Sequence, residues 1–211
     1  MLEAIGLGCV RGERTLFSGL DFALAAGELL RVAGANGSGK TSLLRIVCGL
    51  LAPSAGEVRW NGASARALRE EYWRRLLYIG HANAIKDDLT AAENLAVACT
   101  LSGVRAEPAR IGEALRRMGL APYGSRPCKL LSQGQRRRVA LARLHLATAT
   151  PLWVLDEPFA ALDATAVAEV EALIAGHVAR GGIAIYTTHQ EAHIGAAVAH
   201  TINLDEGARA C

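Results

Sequence analysis

A glycine-rich segment at residues 34–41 has the spacing G-x-x-x-x-G-K-T, which is the pattern of a phosphate-binding loop. A strand-like run at 28–33 precedes it, and apolar residues at helical spacing follow from Thr41. In this setting backbone N–H groups surround phosphate oxygens, Lys40 reaches the β- and γ-phosphates, and the Thr41 hydroxyl binds Mg²⁺. An ordinary glycine turn before a helix is the alternative. The predicted nucleotide-binding residues are Gly34, Ala35, Asn36, Gly37, Ser38, Gly39, Lys40, Thr41 and Ser42.

Two adjacent carboxylates, Asp156 and Glu157, directly follow the apolar run 152–155. A buried strand that ends in acidic residues places them at the carboxyl edge of an α/β sheet, where ligands bind. We predict that Asp156 holds Mg²⁺, mostly through water, and that Glu157 polarises or deprotonates the attacking water. Alone, this pattern is more often a plain strand end. Together with the phosphate-binding loop it indicates nucleotide hydrolysis.

A third segment, 131–135, places a serine and a glycine at the expected start of a helix. The segment consists of Leu131, Ser132, Gln133, Gly134 and Gln135. The Ser132 hydroxyl and the backbone N–H groups of a helix N-terminus are donors suited to a phosphate group. Three arginines follow at 136–138, and a solvated helix face explains them at least as well as a phosphate-binding patch does.

The composition favours one domain of ordinary size and gives no support for a nucleic-acid-binding, disulfide-stabilised or zinc-binding protein. The 211 residues are 51% hydrophobic, which is enough to bury a sizeable core. The formal net charge of +3 is too small to argue for nucleic acid, so no nucleic-acid partner is predicted. Five cysteines are dispersed without C-x-x-C spacing, which argues against a disulfide framework or a zinc site and favours reduced thiols in the cytosol.

No signal peptide is evident at the N-terminus, and no window reaches the run of about 18–20 apolar residues that crosses a bilayer; residues 144–155 come closest. We therefore expect any membrane role to act through a partner.

The order of predicted elements indicates an α/β fold with a mostly parallel sheet and an inserted helical subdomain. Strands are predicted at 20–24, 28–33, 152–155, 183–186 and near 201–204, and helices from Thr41 and at about 164–179. Residues from about 91 to 147 show helical periodicity and few strand-like runs. We expect a single domain over 1–211, with a nucleotide-binding core at about 1–90 and 148–211 and the helical subdomain at about 91–147.

The three motifs together resemble the ATP-binding-cassette (ABC) ATPases, which are P-loop NTPases. The resemblance implies ATP with Mg²⁺ as the ligand and a homodimer in which Ser132 contacts the γ-phosphate of ATP held by the second subunit. It also implies that His189, which follows a strand, contacts the γ-phosphate and orients the water. An isolated histidine there is otherwise structural. The turn ending at Asp163 would cross to the partner subunit, although a solvent-facing turn is an equal alternative.

Longer stretches resemble the CcmA family, the ATP-binding subunits of the haem-export apparatus for c-type cytochromes. They are 9–17, 78–86, 89–95, 131–146 and 156–159. The resemblance implies integral membrane partner subunits and a peripheral position on the cytoplasmic face of the bacterial inner membrane. ATP would then power haem delivery to, or release of, a periplasmic haem chaperone, with no direct haem contact by this chain.

Two positions depart from the general cassette pattern. Where most cassettes place a glutamine that contacts Mg²⁺, this chain has His81 followed by Ala82, so the role falls to His81 or shifts to Asn83. The aromatic residue that usually stacks on adenine is also missing, and Arg11 is the nearest candidate, since a guanidinium can stack on a base.

Three other functions remain open on the sequence. The chain would be the ATPase subunit of another exporter or importer, a soluble cassette protein acting on ribosomes or DNA, or a simple P-loop kinase or GTPase. The second class usually carries two cassettes or a long coiled coil, and the third is disfavoured because no N-K-x-D guanine motif is present.

Overall fold

Two β-sheets and a run of helices make up the part of the chain that the structure describes. The computed structural model describes residues 1–189, 194–195 and 198–207. The strands are β1 (Leu2–Arg11), β2 (Arg14–Leu24), β3 (Glu28–Ala33), β4 (Ala55–Trp60), β5 (Ala63–Ser64), β6 (Leu76–Ile79), β7 (Leu152–Leu155), β8 (Ile183–Thr187) and β9 (Val198–Asn203). The α-helices are α1 (Lys40–Val47), α2 (Ala65–Leu68), α3 (Glu70–Trp73), α4 (Ala91–Leu101), α5 (Pro108–Arg117), α6 (Gln133–Leu141), α7 (Arg143–Leu146), α8 (Ala164–Ala179) and α9 (Leu204–Gly207). Short 3₁₀ turns lie at Ala121–Tyr123 and Cys128–Leu130.

The larger sheet has five parallel strands in the order β6-β7-β8-β3-β9. The adjacent strands β7 and β8 are buried along their whole length, as expected for the part of a parallel sheet that is covered on both sides. Along β7, Trp153 and Leu155 enter one core cluster and Leu152 and Val154 enter the other. The predicted strand 152–155 is confirmed, and those at 28–33 and 183–186 match β3 and most of β8.

The opening third of the chain forms a second, antiparallel sheet in the order β2-β1-β4-β5, which the sequence interpretation missed apart from residues 20–24 of β2. The pairing of β1 with β2 shifts register several times between Ala4 and Val10, and these irregularities interrupt the simple alternation that identifies a strand. One core cluster joins Leu7 of this sheet to Leu44 of α1 and Val154 of the parallel sheet. The α1 helix therefore packs with both sheets.

Helices α4 to α7 lie between β6 and β7 in the chain and pack on the other face of the parallel sheet. Leu95, Ile111 and Leu115 from these helices share a core cluster with Trp153 and Leu155. Helix α4 begins with a capping box, in which the Thr90 hydroxyl accepts from the Glu93 amide and the Glu93 carboxylate accepts from the Thr90 amide. This packing brings Arg137, in the middle of α6, to the carboxyl end of β7.

The predicted boundaries of two elements differ from those in the structure. The predicted helix after Thr41 is α1, which ends at Val47, so that Leu50, at helical spacing in the sequence, lies beyond the helix and is 59% exposed. The final strand near 201–204 is instead β9, which starts at Val198, and Leu204 opens α9. The strand is longer because β3 supplies backbone partners from Glu28 onward, and that pairing cannot be seen in the local sequence. The helix predicted at about 164–179 coincides with α8.

Among the described residues, no helix has the length and apolar content needed to cross a bilayer.

Candidate nucleotide site

The glycine-rich loop connects β3 to α1 at the carboxyl edge of the parallel sheet. Gly39 caps α1 with φ +107, and a Cβ there would lie 3.1 Å from the Leu16 Cβ, so only glycine fits without strain. Gly34 has φ +144, and its Cβ would lie 2.5 Å from the buried Ser38 Oγ. The loop is therefore shaped by glycines at its two ends, as a backbone phosphate cradle requires.

Lys40 is buried at the start of α1 and folds back over the loop. Its ammonium donates to the carbonyl oxygens of Gly34 at 2.8 Å and Ala35 at 3.0 Å. An ammonium carries three N–H donors, so one remains for an oxygen of a bound phosphate. The two hydrogen bonds hold the charge next to the loop instead of letting it extend into solvent.

Asp156 is the centre of a polar network at the end of β7. Its Oδ2 accepts from the Thr41 hydroxyl at 2.9 Å and its Oδ1 accepts from the Thr187 hydroxyl at 2.8 Å. The Thr187 oxygen in turn accepts from the Glu157 amide at 2.8 Å. Asp156 is almost fully buried, so these donors compensate for the water that the carboxylate has lost.

An open pocket of about 560 Å³ lies above this network, within the usual size of a ligand site. Six residues from the loop and the first turn of α1 line it, namely Asn36, Gly37, Gly39, Lys40, Thr41 and Ser42. The other residues around it are Arg11, Leu16, His81, Asp156, Glu157, Ala160 and His189. The structure thus brings the predicted phosphate loop, the two carboxylates, His81 and His189 to one pocket.

Glu157 and His189 form a pair at the rim of this pocket. The His189 Nε2 lies 3.3 Å from the Glu157 Oε1, and the Glu157 side chain is 18% exposed. Glu157 adopts φ +51, an uncommon backbone conformation for a residue that is not glycine. The contact with His189 and this backbone conformation together define where the Glu157 carboxylate lies in the pocket.

The oxygens at the bottom of the pocket fit a magnesium ion. The Thr41 hydroxyl and the Asp156 carboxylate are 2.9 Å apart and belong to the hard oxygen donors that Mg²⁺ prefers. Mg²⁺ is commonly bound by one or two carboxylates together with substrate phosphates and waters. Thr41 and Asp156 would therefore hold the ion next to the phosphate loop.

The 131–135 segment does not line this pocket. Ser132 caps α6 through a capping box with Gln135, and its side chain is exposed. Behind it, Gly134 lies so close to the 161–163 turn that an added Cβ would be 2.7 Å from the Ala161 carbonyl oxygen. The segment thus presents the start of a nine-residue helix at a surface separate from the loop at 34–41.

Asp163 has partners within its own chain. Its Oδ1 accepts from the Ala166 amide at 2.9 Å, which caps α8, and its other oxygen pairs with Arg138. The turn before α8 is therefore fastened to α6 by a side-chain pair as well as by the close approach at Gly134.

The three arginines at 136–138 do not share one environment, so a common solvated face does not describe them. Arg136 pairs with Asp87 and Arg138 with Asp163, while Arg137 is only 4% exposed. The Arg137 guanidinium donates to the carbonyl oxygens of Gly80, Asp156 and Glu157 and to the Asn83 side chain. Consecutive helix positions point in different directions, so a run of like residues does not define a common environment.

Two more residues at the site were missed by sequence reasoning. Thr187 contacts Asp156 because β7 and β8 pair in parallel with Leu155 opposite Tyr186. The sequence signal that could have indicated this contact is a threonine at the end of the neighbouring strand. Asp205 accepts from the Ala35 amide through both carboxylate oxygens, at 2.8 and 3.1 Å, across 170 positions of chain. Nothing in the local sequence around Asp205 indicates that contact.

The ABC transporter family profile matches residues 17–160. A protein named cytochrome c biogenesis ATP-binding export protein CcmA from Aromatoleum aromaticum is 54% identical over 91% of this chain and 90% of its own length. The protein of the same name from Nitrosospira multiformis is 50% identical over 96% of this chain and 98% of its own length. The chain belongs to the CcmA family of ABC ATPases. ATP hydrolysis is accordingly its activity, and the simple P-loop kinase or GTPase is ruled out.

Solved structures show the same cassette fold. A putative ABC transporter ATP-binding protein from Pyrococcus furiosus matches with a TM-score of 0.82 and 25% identity over 98% of both chains. A dimeric ATP-binding cassette in a post-hydrolysis state with ADP and Pi matches with a TM-score of 0.78 and 24% identity, over 90% of this chain and 88% of its own. The α/β P-loop fold predicted from the sequence is confirmed.

The structure shows where the residues at the two departures from the general cassette pattern lie in this CcmA-family chain. His81 lines the pocket, whereas the Asn83 side-chain oxygen accepts from Arg137 at 3.2 Å. Of the two candidates for the missing glutamine, His81 is thus the one that faces the nucleotide side. Arg11, the candidate for base stacking, also lines the pocket.

Proposed function

We propose that this cassette is the ATP-hydrolysing subunit of an ABC complex for c-type cytochrome biogenesis. In that complex it would couple ATP binding and hydrolysis to haem export or to release of a haem chaperone. Support comes from relatives named as cytochrome c biogenesis export proteins, at 50–54% identity over nearly the whole chain. The single observation that carries the hydrolytic part is the pocket in which Lys40, Asp156, Glu157 and His189 converge.

Residues of one subunit bind the nucleotide and prepare the water. Backbone N–H groups of 34–39 and the Lys40 ammonium bind the β- and γ-phosphates, while Thr41 and Asp156 would hold Mg²⁺, which would supply positive charge next to the phosphates. Glu157 accepts the proton of the attacking water at its carboxylate, and His189, 3.3 Å away, orients the water and the γ-phosphate. Because phosphoryl transfer needs mainly positioning and charge stabilisation, the protein supplies these by its geometry.

The second half of each site comes from another copy of the chain. Ser132 is exposed at the start of α6 and lies outside the pocket of its own subunit. Its amide donates to Gln135, but its hydroxyl only accepts from the Gln135 amide and can still donate to a phosphate held elsewhere. A relative in fold was solved as a dimeric cassette with ADP and Pi. When two ATP molecules are bound between two subunits, each γ-phosphate is fully positioned for hydrolysis only after the two subunits have closed on each other. ATP then favours the closed pair and hydrolysis releases it.

The closing motion acts on integral membrane subunits in this proposal. The cassette would sit peripherally on the cytoplasmic face of the bacterial inner membrane, with residues 1–90 and 148–211 as nucleotide-binding core and 91–147 as helical signature subdomain. No contact of this chain with haem or nucleic acid is required. An ATPase subunit of another exporter or importer would use the same pocket, so partners distinguish the two functions.

The biological assignment is tested by replacing Lys40 in the producing bacterium. Lys40→Ala removes the ammonium from the phosphate loop and should abolish c-type cytochromes, measured by haem staining of membrane proteins. Lys129→Ala, which removes an exposed ammonium paired with Asp88, is the matched control and should leave them intact. Pull-down from detergent-solubilised membranes should recover integral membrane subunits. Normal c-type cytochromes with Lys40→Ala, or a pull-down without membrane subunits, would contradict the assignment.

The split site is tested by mixing two inactive chains carrying different affinity tags. Lys40→Ala damages the loop and Ser132→Ala damages the partner-facing segment, so a mixed dimer contains one pocket with both defects and one intact pocket. ATP hydrolysis should be low in each variant alone and should recover in the purified mixed dimer. Full activity of Ser132→Ala alone, or no recovery on mixing, would show that the pocket is not shared.

A further inference from the structure

Arg137 is a buried cation whose partners are all uncharged oxygens. Its side chain on α6 is 4% exposed, and the two terminal nitrogens donate four hydrogen bonds of 2.8 to 3.2 Å. Among the described residues no carboxylate forms an ion pair with it, and its Nε–H has no hydrogen-bond acceptor. Burial lowers the pKa of this guanidinium, and the nearby Asp156 and Glu157 oppose that shift only in part.

One end of the guanidinium holds the backbone that carries the two carboxylates. The Arg137 Nη2 donates to the carbonyl oxygens of Asp156 and Glu157, each at 2.8 Å. The Glu157 amide on the other side donates to the Thr187 hydroxyl at 2.8 Å. Glu157 has φ +51, a conformation that persists in a residue with a Cβ only when its surroundings impose it. Arg137 and Thr187 together clamp this residue.

The other end of the guanidinium holds the loop that follows β6. The Arg137 Nη1 donates to the Gly80 carbonyl oxygen at 2.8 Å and to the Asn83 side chain at 3.2 Å. Between these two residues His81 reaches the nucleotide pocket. One side chain therefore joins three segments, which are α6, the 80–83 loop and the end of β7.

Stability is a poor reason for this arrangement. Burying a charge is costly, and well-packed uncharged side chains often replace buried charged groups without loss. A guanidinium offers a planar fork of donors that reaches two strands' ends at fixed angles, which a lysine or glutamine cannot reproduce. The hydrogen bonds of Arg137 therefore fit a role in fixing the relative positions of α6, the 80–83 loop and the end of β7 better than a role in core packing.

We propose that Arg137 is a positioning residue for ATP hydrolysis, which sets the backbone conformation of Glu157 and ties it to the 80–83 loop. The positions of the 80–83 loop and of the Glu157 backbone therefore both depend on the hydrogen bonds of one guanidinium. The inference rests on the proposed role of Glu157.

The test compares Arg137→Gln with Arg136→Gln, which removes an arginine of the same helix paired with Asp87 at the surface. Arg137→Gln should lower kcat for ATP by about 10- to 100-fold, since small displacements of a reacting group have effects of that size. Its KM for ATP and its affinity for a fluorescent ATP analogue should change less than about twofold, because the phosphate loop is untouched. Arg136→Gln should resemble the unmodified protein in all three.

A double variant separates positioning through Glu157 from general damage. In a Glu157→Gln background, Arg137→Gln should cause no further loss, because residues that act as a unit are not additive. Should Arg137→Gln fail to fold, Asn83→Ala removes one acceptor of the same guanidinium and should lower kcat in the same direction with KM unchanged. Equal losses of affinity and kcat, or additive losses in the double variant, would overturn the inference. Full turnover by Glu157→Gln alone would instead refute the proposed role of Glu157.

Discussion

The Thr41 hydroxyl donates a 2.9 Å hydrogen bond to the Asp156 carboxylate, across 115 positions of chain. The two residues meet because β3 and β7 end at the same edge of the sheet with β8 between them. Helix α1 starts directly after the phosphate loop, and its first turn brings Thr41 toward the end of β7. This contact joins the part of the site that binds phosphate to the part that holds the carboxylates.

Removing the Thr41 hydroxyl should weaken the contribution of Mg²⁺ to nucleotide binding. We expect Thr41→Val to reduce the ratio of ATP affinity with Mg²⁺ to affinity in EDTA by at least about tenfold, as losses around metal sites often do. Thr41→Ser keeps the oxygen and should retain the ratio. Titration with a fluorescent ATP analogue in both buffers measures it. An unchanged ratio in Thr41→Val would remove Thr41 from the metal site.

Replacing Glu157 by glutamine should separate binding from turnover. The amide keeps the size of the side chain but accepts a proton poorly, so kcat should fall by about 10²- to 10⁴-fold while ATP still binds. The variant should accumulate as an ATP-dependent dimer in size-exclusion chromatography. Glu113→Gln, at an exposed glutamate paired with Arg116 and Arg117 on α5, is the control. A normal hydrolysis rate in Glu157→Gln would count against its role as the base.

The close approach of α6 to the 161–163 turn predicts that Gly134 cannot carry a Cβ. In Gly134→Ala the new atom would lie 2.7 Å from the Ala161 carbonyl oxygen, so backbone must shift. We expect a loss of about 1–3 kcal/mol in the free energy of unfolding, together with reduced ATP hydrolysis. Urea unfolding and an ATPase assay measure both.

Gly112 on α5 provides the matched control for this substitution. Nothing lies within 4 Å of an added Cβ there, so Gly112→Ala should stabilise the helix by about 0.5–1 kcal/mol. If Gly134→Ala unfolds at the same urea concentration as the unmodified protein, the contact at Gly134 is not restrictive.

His177 predicts a loss of stability in mild acid. Its ring stacks on Trp153 with centroids 3.9 Å apart, and its Nε2 is 3.2 Å from the Ile183 carbonyl oxygen. Burial lowers the pKa of His177 from its ordinary 6.5 to about 4. Below pH 6.5 the unfolded chain therefore binds a proton that the folded chain refuses. The contribution of the neutral His177 to the free energy of unfolding is fully present above about pH 6.5 and is lost as the pH falls toward 4.

The expected decline at this site is about 2 kcal/mol between pH 7 and pH 5. Urea unfolding at the two pH values measures the total change in the free energy of unfolding. His177→Phe isolates the part of this change that is due to the imidazole, because phenylalanine keeps a ring against Trp153 but cannot titrate. The variant should lose less stability than the unmodified protein over this interval. An equal loss in both proteins would place the acid sensitivity elsewhere.

The phosphate loop, the Asp156-Glu157 pair and the start of α6 could be predicted because each depends on residues close together in the chain. A glycine loop between a strand and a helix, or acids after an apolar run, acquires its chemistry from short-range geometry. The buried strands were visible for a related reason. A parallel sheet covered on both faces requires uninterrupted apolar segments, and these stand out between polar turns.

Only the tertiary structure decided which polar groups surround those motifs. Thr187 reaches Asp156 through strand pairing, and Asp205 reaches the Ala35 amide across 170 positions. Arg137 looked like one of three equivalent arginines until the packing of α6 buried it against the end of β7. Such partners are selected by the spatial order of strands and by which face of a helix is covered. Local residue patterns contain neither of these quantities.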